Sequence, residues 1–133
     1  MEDLLIQNAY IIDGTGTPGF PGTLSVRNGR ISGIWRQAAH RTPARETLDA
    51  GGNVLCPGFV DTHTHSDMIL LHDGRQPSSI TQGVTTEILG QDGLSYAPLS
   101  PDHLSSYAKY LKGIDGTFDD VTLDFSTVEQ YLS

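Results

Sequence analysis

The chain has 133 residues, enough for one ordinary domain with its own core, and carries 16 acidic against 8 basic residues for a net charge of −8. That balance argues against a nucleic-acid or anionic-membrane partner, and the apolar runs are far shorter than a bilayer span. Met1-Glu2-Asp3 lacks the basic segment of a signal peptide, and the single Cys56 excludes an internal disulfide, so the expected location is cytoplasmic.

Leu4-Leu5-Ile6 and Tyr10-Ile11-Ile12 read as two short strands separated by Gln7-Asn8-Ala9. Asp13 to Gly22 holds four glycines and two prolines and reads as a loop. Thr23 to Arg27 alternates as a strand does, with Leu24 and Val26 on one face. Asn28-Gly29 then predicts a two-residue hairpin turn into Arg30–Ile34. Gln37 to Glu46 is polar and reads as loop, and Thr47 to Leu55 supplies another strand and a tight turn. Residues 1–56 are therefore expected to form an all-β unit. Cys56, at its end, is expected to be a small buried apolar group.

Beyond Pro57 the pattern changes. Pro57-Gly58 sets the entry to an apolar strand that ends in His63-Thr64-His65. Pro77 to Gln82 predicts a brief helix closed by Gly83, and Val84 to Leu89 is a near-continuous apolar and β-branched run, as in buried parallel strands. Strand, helix and strand in that order make one βαβ unit. Ser100-Pro101 predicts the start of a helix with Leu104, Tyr107, Ala108 and Leu111 as its apolar face and Gly113 as its end. Ser126-Thr127-Val128-Glu129 has the capping-box pattern of one more helix start, where the chain is expected to have been cut.

The i, i+2 spacing of His63 and His65 puts both imidazoles on one face of a strand, half of a site for a divalent metal such as zinc. Asp61 shares that face and is expected to orient one of them. The competing reading is a polar strand end with two solvated histidines.

The run Pro57-Gly58-Phe59-Val60-Asp61-Thr62-His63-Thr64-His65 resembles the first barrel strand of the amidohydrolase superfamily, with its HxH metal motif. Gln82-Gly83-Val84-Thr85-Thr86 is similar to the start of that superfamily's second strand. Gly90-Gln91-Asp92-Gly93-Leu94-Ser95-Tyr96-Ala97-Pro98 resembles the G-N-C-G-x-S-x-A-P segment of the D-aminoacylase (N-acyl-D-amino-acid deacylase) branch. The resemblance runs from about Leu4 to Pro98. It implies a small β-domain, residues 1–56, followed over 57–133 by the first βα units of a (β/α)8 TIM-type metal-dependent hydrolase barrel. A whole barrel needs about 250 residues, and only 76 follow Pro57, so the barrel is expected to be truncated.

In the resembled deacylases the cysteine of G-N-C-G is a third metal ligand. Here Asp92 stands in its place, either as a harder donor that widens the choice toward manganese or cobalt, or as a turn residue. The metal set implied is His63, His65 and Asp92, for zinc, one or two ions in the whole protein. Ser95 and Tyr96 are candidate substrate contacts or shape their loop. Asp67 is expected to be a turn residue, and Glu87 a buried carboxylate with a hydrogen-bond partner. His40, His72 and His103 read as surface residues. The general base is expected outside this chain.

The implied activity is hydrolysis of the linear amide of a small-molecule N-acyl-D-amino acid. Two alternatives remain open: a cyclic-amide hydrolase of the dihydroorotase or hydantoinase kind, and a non-catalytic module with a remnant metal site. The 133 residues alone are expected to be inactive. They are also expected to aggregate through Val84–Leu89 and the Leu104–Leu111 face.

Overall fold

One ten-residue strand, β1 (Glu2–Ile11), organises the first 57 residues. The computed structural model describes residues 1–133 and separates into two units, Met1–Pro57 and Gly58–Ser133. In the first, β1 pairs antiparallel with β2 (Phe20–Arg27), and β2 pairs antiparallel with β3 (Arg30–Trp35). On its other edge β1 runs parallel to β4 (Ala44–Asp49) and then to the short β5 (Val54–Leu55). The two expected N-terminal strands are thus one. Asn8 takes a left-handed conformation, φ 55°, within a register shift between Ile6 and Ala9, and this bulge absorbs the polar interruption. β4 also begins inside the stretch expected to be loop, because pairing with β1 overrides its polar composition.

The β2–β3 turn is built as its sequence predicts. Asn28 and Gly29 have φ of 52° and 71°, the pair of positive angles that a type I′ turn requires. Ala9, Ile11 and Leu24 are the buried apolar centre of this unit, with Ile6, Phe20, Val26 and Leu55 packed around them. Between the apolar positions of β2, Thr23 and Ser25 are fully buried. Both are satisfied, as buried polar groups must be. Thr23 donates toward the carbonyls of Gln37 and Ala38 at 2.8 and 3.0 Å, and Ser25 bonds Ser32 at 2.7 Å. Ser32 in turn donates to the buried Glu2, which also pairs with Arg27. Cys56 is exposed, contrary to the expectation of burial: it follows β5, where pairing with β1 has ended.

In the second unit β6 (Phe59–Asp61) and β7 (Val84–Glu87) form a two-stranded parallel sheet, connected through α1 (Asp67–His72) and α2 (Pro77–Ile80). Helix α3 (Pro101–Asp115) runs two residues past Gly113. Gly116, at φ 77°, closes it and donates its N–H to Lys112 at 3.1 Å. A glycine inside a helix is tolerated when packing on both sides holds the segment, and Leu104, Leu111 and Asp115 are all buried. Met68, Tyr96, Ala97, Leu104, Leu111 and Phe125 form the core. The apolar face of α3 is therefore covered rather than exposed, with Val121, Leu123 and Tyr131 packed against the cluster. Exposed apolar side chains of this unit include Phe59, Val60, Leu70, Leu71 and Ile80, Ile88 within the Val84–Leu89 run, and Tyr110 and Ile114 on the outer side of α3.

The final helix, α4 (Val128–Leu132), starts one residue later than expected. Its capping box is formed by Thr127 and Gln130, and Ser126 adds a second contact to Gln130. Glutamine serves this reciprocal cap as glutamate does. No helix is long and apolar enough to cross a membrane.

Gly58 fixes the entry to β6. A Cβ there would lie 2.1 Å from Oγ1 and 2.7 Å from Cβ of Thr85, and a β-branched side chain on the neighbouring strand cannot swing away. Gly58→Ala is expected to destabilise the chain by about 1–3 kcal/mol, seen as a lower urea midpoint. In a Thr85→Gly background, which removes the opposing Cβ as well, the same Gly58→Ala change should cost little. An unchanged midpoint in Gly58→Ala would show that this close approach does not matter.

Candidate metal centre

β6 ends at Asp61, and the chain turns immediately. Asp61 Oδ1 accepts the backbone N–H of His63 at 3.0 Å, so it fixes the turn leading to His63, not an imidazole as expected. Thr64 and Ser66 hydroxyls bond each other at 2.6 Å on the same turn. On the adjacent strand the pairing continues one residue past β7, with Ile88 N–H donating to the Asp61 carbonyl at 2.9 Å. The chain then reverses tightly. Gly90, Asp92 and Gly93 all have positive φ, 75°, 58° and 73°. Aspartate is one of the few side chains that tolerate this region, so position 92 suits both a turn and a forward-pointing carboxylate.

The two turns bring three donors together. His63 Nε2 and His65 Nε2 lie 3.3 and 3.6 Å from Asp92 Oδ2, and the three ligand atoms fall within 4.8 Å of one another. The two rings sit edge to face with centroids 5.6 Å apart. Direct charge-assisted N–H···O bonds have heavy atoms about 2.7–2.9 Å apart, so both contacts to Asp92 are longer than such bonds. Two donors each about 2.0–2.2 Å from one tetrahedral ion stand about 3.3–3.6 Å apart, and the two distances to Asp92 are compatible with that spacing. His63 and Asp92 are more than half exposed and His65 is a quarter exposed, so a coordination position open to solvent is available.

The other candidate residues are not members of this group. Ser95 donates its hydroxyl to the Ala97 carbonyl at 2.8 Å. Tyr96 is fully buried and donates to Asp115 at 2.9 Å; burial first, and then that bond, push its hydroxyl well above the usual phenol range. Glu87 is half-buried and accepts from Ser79 at 2.5 Å and from the Gln76 amide at 3.5 Å. Asp67 is buried and accepts from the Tyr131 hydroxyl at 2.7 Å. Burial raises its carboxyl above the ordinary carboxylate value, the Tyr131 bond opposes this, and nearby Asp115 adds to it. His40 stacks on Trp35 within the first unit, and His72 pairs with Asp120 in the second. Sequence reasoning passed over Tyr131 and Asp115. The available signal was tyrosine in an amphipathic helix, since a buried phenol needs an acceptor.

No protein-family model matches the chain. Among characterised proteins it is 34% identical over 127 residues to N-acyl-D-glutamate deacylase of Alcaligenes xylosoxydans xylosoxydans, covering 96% of this chain and 26% of that enzyme. It superposes on the crystal structure of a D-aminoacylase that defines a subset of amidohydrolases, with TM-score 0.77, 32% identity, and 99% and 26% of the two chains covered. A third match is the N-acyl-D-glutamate deacylase of Bordetella bronchiseptica, solved with zinc and a phosphonate mimic of the tetrahedral intermediate, with TM-score 0.65, 33% identity, and 85% and 27% covered. The chain thus spans about a quarter of the length of these relatives.

If the three donors share an ion, His65→Ala and Asp92→Ala should each weaken zinc binding at least about tenfold, read by calorimetry on the purified chain. His40→Ala should leave the affinity unchanged. Equal affinity in all three variants would return Asp92 to the role of a turn residue.

Proposed function

We infer the function of this chain from one premise: it belongs to the amidohydrolase family, as the N-terminal portion of its D-aminoacylase branch. The proposed reaction is hydrolysis of the linear amide of an N-acyl-D-amino acid, which releases a carboxylate and a free D-amino acid. His63, His65 and Asp92 are the proposed ligands of a divalent ion, zinc in the first instance. When bound, such an ion lowers the pKa of water and polarises the scissile carbonyl. Two imidazoles with one carboxylate are a donor set that catalytic zinc accepts.

The residues of this chain divide the remaining work. His63 and His65 present Nε2 from one turn, and Asp61 holds the backbone that leads into it. Asp92 adds one carboxylate oxygen from the neighbouring turn and offsets the charge of the cation. Ser95 and Tyr96 are assigned to shaping the loop, because their hydroxyls are committed to Ala97 and Asp115. The proton donor to the leaving nitrogen is assigned to the part of the protein beyond these residues, since the chain spans about a quarter of its relatives.

Residues 1–56 are proposed as part of a small β-domain, and 57–133 as the first βα units of a (β/α)8 barrel. Parallel β6 and β7 with helices between them, and donors beyond their C-terminal ends, support that assignment. The lone free Cys56 fits a reducing compartment, and the cytoplasm is the proposed location.

The observation that carries this reading is the three-donor group at the adjoining ends of two parallel strands. Its test is a chimera in which this chain replaces the matching N-terminal quarter of a D-aminoacylase. Release of free amino acid from N-acetyl-D-amino acids, and not from their L forms, is expected. Activity should disappear with chelator and with His63→Ala. A folded chimera whose turnover survives His63→Ala would overturn the assignment.

A further inference from the structure

Asp67 is 1% exposed, although it lies only two residues beyond His65. A carboxylate is costly to bury without a partner, and this one has a partner from a distant part of the chain. One oxygen accepts the Tyr131 hydroxyl at 2.7 Å, across 64 residues of sequence. A single buried side chain therefore joins the end of the His63–His65 turn to the last helix. Tyr131 is held in turn, because its ring packs on Phe125 with centroids 5.0 Å apart and its helix begins with a complete capping box.

We propose that Asp67 and Tyr131 are a pair of positioning residues that hold the His63–His65 turn on the core, and so place the two histidines for an ion. This rests on the reading of those three residues as metal ligands. The cluster itself has little else to hold it: His63 and Asp92 are largely solvent-exposed, and neither side chain has a bond to the core. The position of the His63–His65 turn must be fixed from beneath, and Asp67 is the side chain that ties its end to the core. A residue that merely filled the core would add stability without changing how the ligands meet an ion.

The test uses the 133-residue chain and Co²⁺, whose visible absorption reports coordination geometry. Tyr131→Phe removes one oxygen and keeps the ring, and Asp67→Asn keeps the shape. Each is expected to weaken Co²⁺ binding about tenfold and to alter the absorption bands, with far-UV circular dichroism retained. The double variant should bind no worse than the weaker single one, because the two residues act as a unit. Wild-type affinity and bands in both single variants would overturn the proposal, whatever happens to the melting temperature. Failure of the metal reading looks different: wild-type chain without visible bands, or bands that persist in His63→Ala. In that case amide exchange of the metal-free chain still decides the brace. Exchange across 63–66 should be about fivefold faster in Asp67→Asn, and unchanged exchange would overturn the pair.

Discussion

β6 and β7 run parallel in a register that pairs Phe59 with Val84 and Asp61 with Glu87. Everything at the candidate site follows from that pairing. Both strands stop at nearly the same level, so the chain leaving β6 and the chain leaving β7 emerge side by side. The strands are only three and four residues long, and few ladder bonds hold them. The bonds from Phe59 N–H to Gly83 and from Ile88 N–H to Asp61 extend the pairing at either end. A slip of one residue would turn alternate side chains to the opposite face and separate the histidines from Asp92. The tight contact of Gly58 with Thr85 opposes such a slip, because a neighbour bearing a Cβ cannot occupy that place.

Below the strand ends the unit buries polar groups as well as apolar ones. Tyr96 with Asp115, and Tyr131 with Asp67, sit among Met68, Leu104, Leu111 and Phe125. A satisfied polar pair in a core admits one arrangement, whereas a purely apolar contact tolerates several. The first unit uses the same device in its sheet, where Ser25, Ser32 and Glu2 form a chain of hydrogen bonds across three strands. In both places polar residues specify the alignment of short elements that propensity alone would leave loosely defined.

Local rules account for what is readable in the sequence. Asn28-Gly29 encodes its own turn. The strand rule for His63 and His65 does not hold as expected, because β6 ends two residues before the first of them, and their rings meet on the turn that Asp61 fixes. Asp92 is readable as a residue between two glycines, which is why its carboxylate can point forward from a left-handed position. Other features depend on partners far away in sequence. Nothing near Asn8 announces that β1 continues through it, because the bulge is held by pairing with β2 and β4. Gly113 does not end α3, since Leu111 and Asp115 on either side are anchored in the core. The Asp67–Tyr131 bond spans half the chain, and no spacing rule reaches that far.

The chemistry of Asp92 sets the character of the proposed centre. A neutral third donor would leave a dication with its full charge. One carboxylate reduces that charge while keeping the site cationic enough to polarise a carbonyl. Its oxygen is also a harder donor than sulfur, so the same geometry accommodates manganese or cobalt beside zinc. The exposure of His63 and Asp92 weakens electrostatic effects through solvent screening. For an open site of this kind, the placement of the ligands contributes more than the dielectric around them. Placement is supplied by the elements beneath: a parallel register at the strand ends, left-handed turns at Gly90 and Asp92, and a buried carboxylate that ties the histidine turn to the last helix.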